Sequence, residues 1–146
     1  MNKIYIEDLS IGDIFTSKKF NFTRDNIKAF ANEFDPQDFH CNESRAKHSF
    51  FKELVASGLH TNAVTMKLIT QSFPLAHGII GAGMAVDWYR PVKPEDSVFV
   101  KTEVINIRPC KTNSLKVLIT CHHDLYNQNG ILCQRLTSKL LNFKKS

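Results

Sequence analysis

No apolar stretch in this sequence approaches the roughly 20 residues that a membrane-spanning helix needs, so membrane insertion is not expected. The first residues, Met1-Asn2-Lys3-Ile4-Tyr5-Ile6-Glu7-Asp8, put an acidic pair where a secretory leader would carry its apolar core. A cytoplasmic protein is the expectation. CxxC spacing is absent too: Cys41, Cys110, Cys121 and Cys133 are widely scattered, which reads as reduced thiols in a reducing compartment. There is no arginine-rich block and no RNA-binding aromatic motif, although the formal net charge is +5. The positive residues are spread along the chain apart from Lys144 and Lys145, so the basic balance suits an anionic partner such as an anionic lipid or a phosphorylated cofactor, and nucleic acid is not expected. Repeats, low-complexity tracts and Ser/Gly-rich linkers are also missing. One domain over residues 1–146, large enough to bury its own core, is expected.

What is present falls into an early helical part and a late strand-rich part. Ile14 to Phe22 reads as a strand, and Thr23 as the N-cap of a helix reaching about Phe34. Ile27, Phe30, Ala31 and Phe34 recur at i, i+3, i+4 and i+7 and predict one buried stripe. Pro36 stops that helix by disfavouring helical geometry in the residue before it. A turn, or a short helix around Glu43 to Lys47, should follow. From Ser57 to Gln71 only Lys67 is charged, and apolar or small residues occupy every side. Such a helix needs protein around most of it. Met84 to Tyr89, Val98 to Ile107, Leu115 to Tyr126 and Ile131 to Phe143 are β-rich runs, the last two joined through Asn127-Gln128-Asn129-Gly130, a hairpin signal. Helices first and consecutive strands later predict an α+β domain. Its expected architecture is the hotdog fold, a bent antiparallel sheet wrapped around a central buried helix.

The chemistry concentrates between Asp35 and Thr61. Asp35 and His40 flank a proline-containing turn, which can bring a carboxylate and an imidazole to one point where a helix would separate them. Such a pair can hold a water and exchange protons with it, since imidazole titrates near neutrality. By spacing alone, Asp35 could equally cap the turn and His40 be satisfied in the core. Ser57-Gly58 opens the apolar helix, whose N-terminal N–H groups and partial positive charge could polarise a carbonyl brought close by the glycine. Gly58 could equally do no more than permit close helix–sheet packing.

The run Ala29-Phe30-Ala31…Phe34-Asp35-Pro36-Gln37-Asp38-Phe39-His40, continued by Ala46, Phe51 and Leu54-Val55-Ala56-Ser57-Gly58-Leu59-His60-Thr61, resembles the MaoC-like acyl dehydratases, among them the (R)-specific enoyl-CoA hydratases. Tyr5-Ile6-Glu7-Asp8-Leu9…Gly12 resembles the opening of that family, and Asp87-Trp88-Tyr89-Arg90-Pro91-Val92-Lys93-Pro94-Glu95-Asp96 the strand and turn after its central helix. The resemblance implies a hydro-lyase that reversibly hydrates a trans-2-enoyl-CoA, or a related enoyl thioester, to the 3-hydroxyacyl form. Asp35 and His40 would be its catalytic pair, and the Gly58 N–H its thioester-carbonyl donor. Beside what the resemblance implies, Ser57, His60 and Arg90 are candidates for the substrate pocket. The partner would be an acyl-CoA or acyl-carrier-protein thioester, with no metal or redox cofactor, in a homodimer or higher homo-oligomer. A hotdog thioesterase and a non-catalytic acyl-thioester-binding module are the alternatives. The chain departs from the Asp-x-Asn-Pro-x-His pattern at Gln37 and Asp38, and it carries Ser57-Gly58 in place of a His-Gly pair.

Other motifs carry less. Gly78-Ile79-Ile80-Gly81-Ala82-Gly83 lacks the glycine order and the βαβ context of a dinucleotide loop and predicts a loop entering a strand. Cys121-His122-His123-Asp124 reads as a strand whose neighbours face opposite ways, so no metal site is expected there. Ser57 is expected as a helix cap and not a nucleophile, because GxSxG is missing, and His60 reads equally as a buried polar residue of the central helix. His48 and His77 read as loop residues. Arg90 fits a structural ion pair or a bound phosphate. Lys93, Arg108, Lys111 and Lys116 could meet the phosphates of coenzyme A.

Overall fold

The computed structural model describes residues 2–145. After a 3₁₀ turn at Ile6–Asp8 come β1 (Ile14–Thr16), β2 (Phe20–Asn21), α1 (Arg24–Phe34), α2 (Asp38–Cys41), α3 (Glu43–Ala46), α4 (Gly58–Ser72), β3 (Ile80–Trp88), β4 (Ser97–Cys110), β5 (Asn113–Tyr126) and β6 (Leu132–Phe143). The strands form one six-stranded sheet of order β1-β4-β5-β6-β3, with β2 paired to β4. All of these strand pairs are antiparallel. The fold is α+β and hotdog in type, as the strand-rich second half predicts.

The long strands alternate strictly. Val98, Val100, Thr102 and Val104 of β4, and Val117, Ile119, Cys121, His123 and Leu125 of β5, are buried against α4, while their neighbours point outward. Irregularities in register at Val104/Asn106, Leu125/Tyr126 and Gly81/Gly83 bend the sheet, because an extra residue on one strand sharpens the local twist. The one opposite β6, at Cys133, matters later: it turns both Cys133 and Gln134 inward, and both are buried. The Asn-Gly hairpin forms as expected, with Gly130 at φ +72° and its N–H donating to the Asn127 carbonyl.

Several expectations need revising. The strand expected over 14–22 is split, since Ser17 turns inward to exchange hydrogen bonds with Val100 at 2.9 and 2.8 Å and interrupts the ladder. The α1 stripe is fully buried only at Ile27 and Ala31. Phe34 is 59% exposed because the end of α1 overhangs the sheet. Helix α4 buries His60, Thr61, Val64, Thr65, Leu68 and Ile69, but leaves Leu59 and Met66 exposed, so this chain's own sheet encloses one side of it and not most sides. Strands β4 and β5 run to Cys110 and from Asn113, beyond the expected ends at Ile107 and Leu115, and β3 begins at Ile80, taking in Gly81 and Gly83. Among the described residues no helix is long and apolar enough to cross a membrane.

Candidate active site

Pro36 makes the corner on which the site is built. Asp35 ends α1, its N–H donating to the Ala31 carbonyl at 2.8 Å. Gln37 is extended and starts the single turn of α2, which carries His40 back over Asp35. His40 Nε2 lies 3.3 Å from Asp35 Oδ2. The other ring nitrogen, Nδ1, is 2.7 Å from the Val55 carbonyl oxygen, which can only accept. Nδ1 therefore carries a proton, and Nε2 is the atom presented to the carboxylate. His40 is 5% exposed.

The carboxylate is held from two sides. Ser57 Oγ–H donates to Oδ2 at 2.7 Å, and the Gln37 side-chain amide donates to Oδ1 at 2.6 Å. Burial alone would raise the Asp35 carboxyl. Those two hydrogen bonds and the neighbouring His40 outweigh it and hold the group below its ordinary value. Ser57 is at once the N-cap of α4, its Oγ accepting the Leu59 N–H at 3.2 Å. One hydroxyl thus ties the carboxylate to the helix start. Gly58, the first residue of α4, has an N–H with no intrahelical acceptor.

These residues open onto a cavity of about 680 Å³ whose lining includes Asp35, His40, Gly58, Phe51, Trp88 and Gln134. Most of its other walls are apolar, which suits a hydrophobic ligand with a few polar anchors. Arg90 is exposed at its edge and has no ion-pair partner among the described residues. His60 lies elsewhere. Its ring stacks on Phe30 (centroids 4.6 Å, 6° between planes) and meets Phe22 edge-on, away from the cavity lining. Burial pushes His60 down to about 4, and Nδ1 has no hydrogen-bond partner. Asp35, His40, Gly58 and Arg90 therefore line one space, Ser57 is buried behind Asp35, and His60 is elsewhere.

The remaining candidates separate. Lys93 pairs with Glu53 at 3.0 Å near the cavity. Arg108, Lys111 and Lys116 belong to the far end of the sheet: Arg108 pairs through Leu118 and Leu141 to Ile80, whereas Trp88 pairs through Gln134 and Leu125 to Val100. One chain does not bring these four cations together. In β5, Cys121 and His123 face inward. Asp124 faces outward and takes a bidentate pair from Arg135 at 2.8 and 2.9 Å. Among the described residues no group of three or more His, Cys, Asp or Glu could hold a metal ion. All four cysteines are free thiols.

Trp88, Thr61 and Gln134 line the cavity and were not singled out from the sequence. Gln134 had a signal, since it shares the inward phase of Leu136 and Leu140 in β6, where a polar residue is unusual.

The model of the MaoC-like domain family matches residues 10–125. The uncharacterized protein YdeM of Bacillus subtilis (strain 168) is 35% identical over 128 residues, 86% of this chain and 89% of that one. The crystal structure of a MaoC-like dehydratase from Rhodospirillum rubrum superposes with a TM-score of 0.95 at 45% identity, covering 98% of this chain and 99% of that one. The (R)-hydratase PhaJ1 of Pseudomonas aeruginosa, at 22% identity, 95% and 85% coverage and a TM-score of 0.75, shares the fold. Matched across most of its length in sequence and superposed over nearly all of it in structure, this chain belongs to the MaoC-like domain family.

Proposed function

We propose that the protein is an acyl-thioester hydro-lyase, adding water reversibly across the double bond of a trans-2-enoyl-CoA or a related enoyl thioester. The observation that carries the reading is the convergence of Asp35 Oδ2 and His40 Nε2 at 3.3 Å beside the first residue of α4. With Nδ1 held by Val55, a neutral His40 turns a lone pair toward an oxygen that also only accepts. A water donating one O–H to each satisfies both, and that water is the nucleophile.

Its oxygen attacks the β-carbon. The π electrons move through the α-carbon to the thioester oxygen, where the Gly58 N–H and the α4 N-terminus stabilise the enolate charge. The water proton passes to the Asp35–His40 pair. A proton from His40 Nε2 then returns to the α-carbon, leaving a 3-hydroxyacyl thioester with atoms and charge balanced. Asp35 and His40 can exchange these proton roles. The thioester itself acidifies the α-position, so no metal or redox cofactor enters the scheme.

A homodimer belongs to the same reading. β3 is the edge of the sheet, and Met84, Trp88 and Tyr89 beside it are exposed together with Leu59 of α4. An unpaired apolar edge invites a second copy. Light scattering on the purified chain tests this.

The test of the activity is loss of the conjugated-thioester absorbance on mixing with a panel of enoyl-CoAs. Turnover of at least one, without thiol release, is expected. Release of free coenzyme A would point to a thioesterase, and binding without turnover to a non-catalytic module.

A further inference from the structure

We propose that Trp88 is the residue that sets acyl-chain length, closing the slot between the first turn of α4 and strand β3, and that Gln134 locks it there. The proposal rests on the cavity taking an acyl thioester.

The slot is shut at Gly58. A Cβ built on Gly58 would lie 2.6 Å from Trp88 Cε2, 2.8 Å from Cζ2 and 2.9 Å from Nε1. The edge of the indole therefore rests on the helix start itself, next to the N–H aimed at the thioester carbonyl. No methylene chain can pass between the two.

Within one chain the indole is fixed by a hydrogen bond more than by enclosure, since Trp88 is 54% exposed. Its Nε1–H, which can only donate, reaches Gln134 Oε1 at 2.9 Å, and this settles which way the amide faces. Gln134 Nε2 then donates to Thr65 Oγ at 2.9 Å, whose own hydroxyl donates to the Thr61 carbonyl at 2.7 Å. The Thr61 hydroxyl also donates to Gln134 Oε1 at 2.8 Å. Gln134, Thr65 and Thr61 are all buried. Swinging the indole aside would take from the buried Gln134 oxygen one of its two donors and leave it only the Thr61 hydroxyl. The network thus holds the wall as stiffly as it holds α4, and it presents amide and hydroxyl groups where a long chain would need apolar surface. A short acyl group fits, and a long one stops at the indole.

Trp88 is the only tryptophan, so its emission reports directly on what touches the wall. In wild type, titration with butyryl-CoA should change that emission, and crotonyl-CoA should be preferred to trans-2-octenoyl-CoA by at least about tenfold in kcat/KM. Trp88→Ala should shift that ratio toward octenoyl-CoA by about tenfold or more. Trp88→Phe should keep most of the stop, and Gln134→Leu should relax it partway. Equal use of both substrates by wild type, or an unchanged ratio in a Trp88→Ala protein that retains its circular dichroism, overturns the proposal. If wild type hydrates no enoyl-CoA, the hydratase reading fails, but the wall is still judged by calorimetry. There the butyryl-CoA to octanoyl-CoA affinity ratio must shift between wild type and Trp88→Ala, and no shift rejects it.

Discussion

Ser57 Oγ stands 2.7 Å from Asp35 Oδ2, the same oxygen that faces His40 Nε2 at 3.3 Å. A hydroxyl that donates to a carboxylate stabilises the charged form, and here the donor is also the cap of α4, so the Asp35–His40 pair and the start of α4 share one side chain.

Ser57→Ala removes both bonds at once. Losing the donor lets burial act on the Asp35 carboxyl with less opposition, so its pKa rises from its lowered state. The acid limb of the kcat/KM profile should move to higher pH, with a loss of about tenfold at neutral pH. The lost cap should cost about 1 kcal/mol of stability, and denaturant titration reads this separately. An acid limb left unmoved would show that Asp35 does not titrate in the rate-determining complex.

Asp35→Asn and His40→Ala should each lower kcat by about 10²–10⁴-fold on any enoyl thioester the wild type accepts. In the proposed mechanism both groups act on one water, so the double variant should lose scarcely more than either single one. Additive losses in single-turnover measurements would mean that the two side chains serve separate steps.

Gly58 has no positive φ, and the three atoms nearest a side chain built there all belong to Trp88. Gly58→Ala should destabilise the protein by about 1–3 kcal/mol through overpacking and should impair carbonyl binding. In a Trp88→Ala background the same substitution should cost much less. Chemical denaturation followed by circular dichroism gives the coupling, and equal cost in both backgrounds would place the obstacle elsewhere.

How much of this could be read from residues alone follows from the range of the forces involved. The Asn-Gly turn, the Thr23 cap and the alternation in β4 and β5 are local, and they appear where expected. Asp35, His40 and Gly58 are joined by a proline corner and one helix start, so their convergence was also open to local reasoning. Gln134 and Trp88 meet Thr61 and Gly58 only through pairing between distant strands, and no spacing in the sequence encodes that meeting. His60 shows the opposite failure. It lies two residues from Gly58, yet helical rotation turns its ring away to Phe30 and Phe22. Likewise Lys93 and Arg108 look like one basic set until the register places them at opposite ends of the sheet.

His60 and His123 give the fold its pH dependence. Burial pushes each down to about 4 from an ordinary value of 6.5. His123 differs from His60 in being fully bonded, its Nδ1 2.8 Å from Thr102 Oγ and its Nε2 2.7 Å from Ser138 Oγ. Between pH 6.5 and about 4 the unfolded chain takes up protons that the folded chain refuses. Acid therefore favours unfolding there, by up to about 1.4 kcal/mol per pH unit for each ring. Asp35 adds to the loss only at the acid end, because its lowered value makes its contribution fade as pH falls below the ordinary carboxylate range. His60→Phe keeps an aromatic ring between Phe22 and Phe30 and removes both the titration and the unpartnered nitrogen. Its unfolding free energy should fall less steeply across that window, by about one proton in the slope, while wild type and variant respond alike above pH 7. Urea titrations at several pH values measure the slope, and one that is unaltered would mean that His60 is protonated in the folded protein.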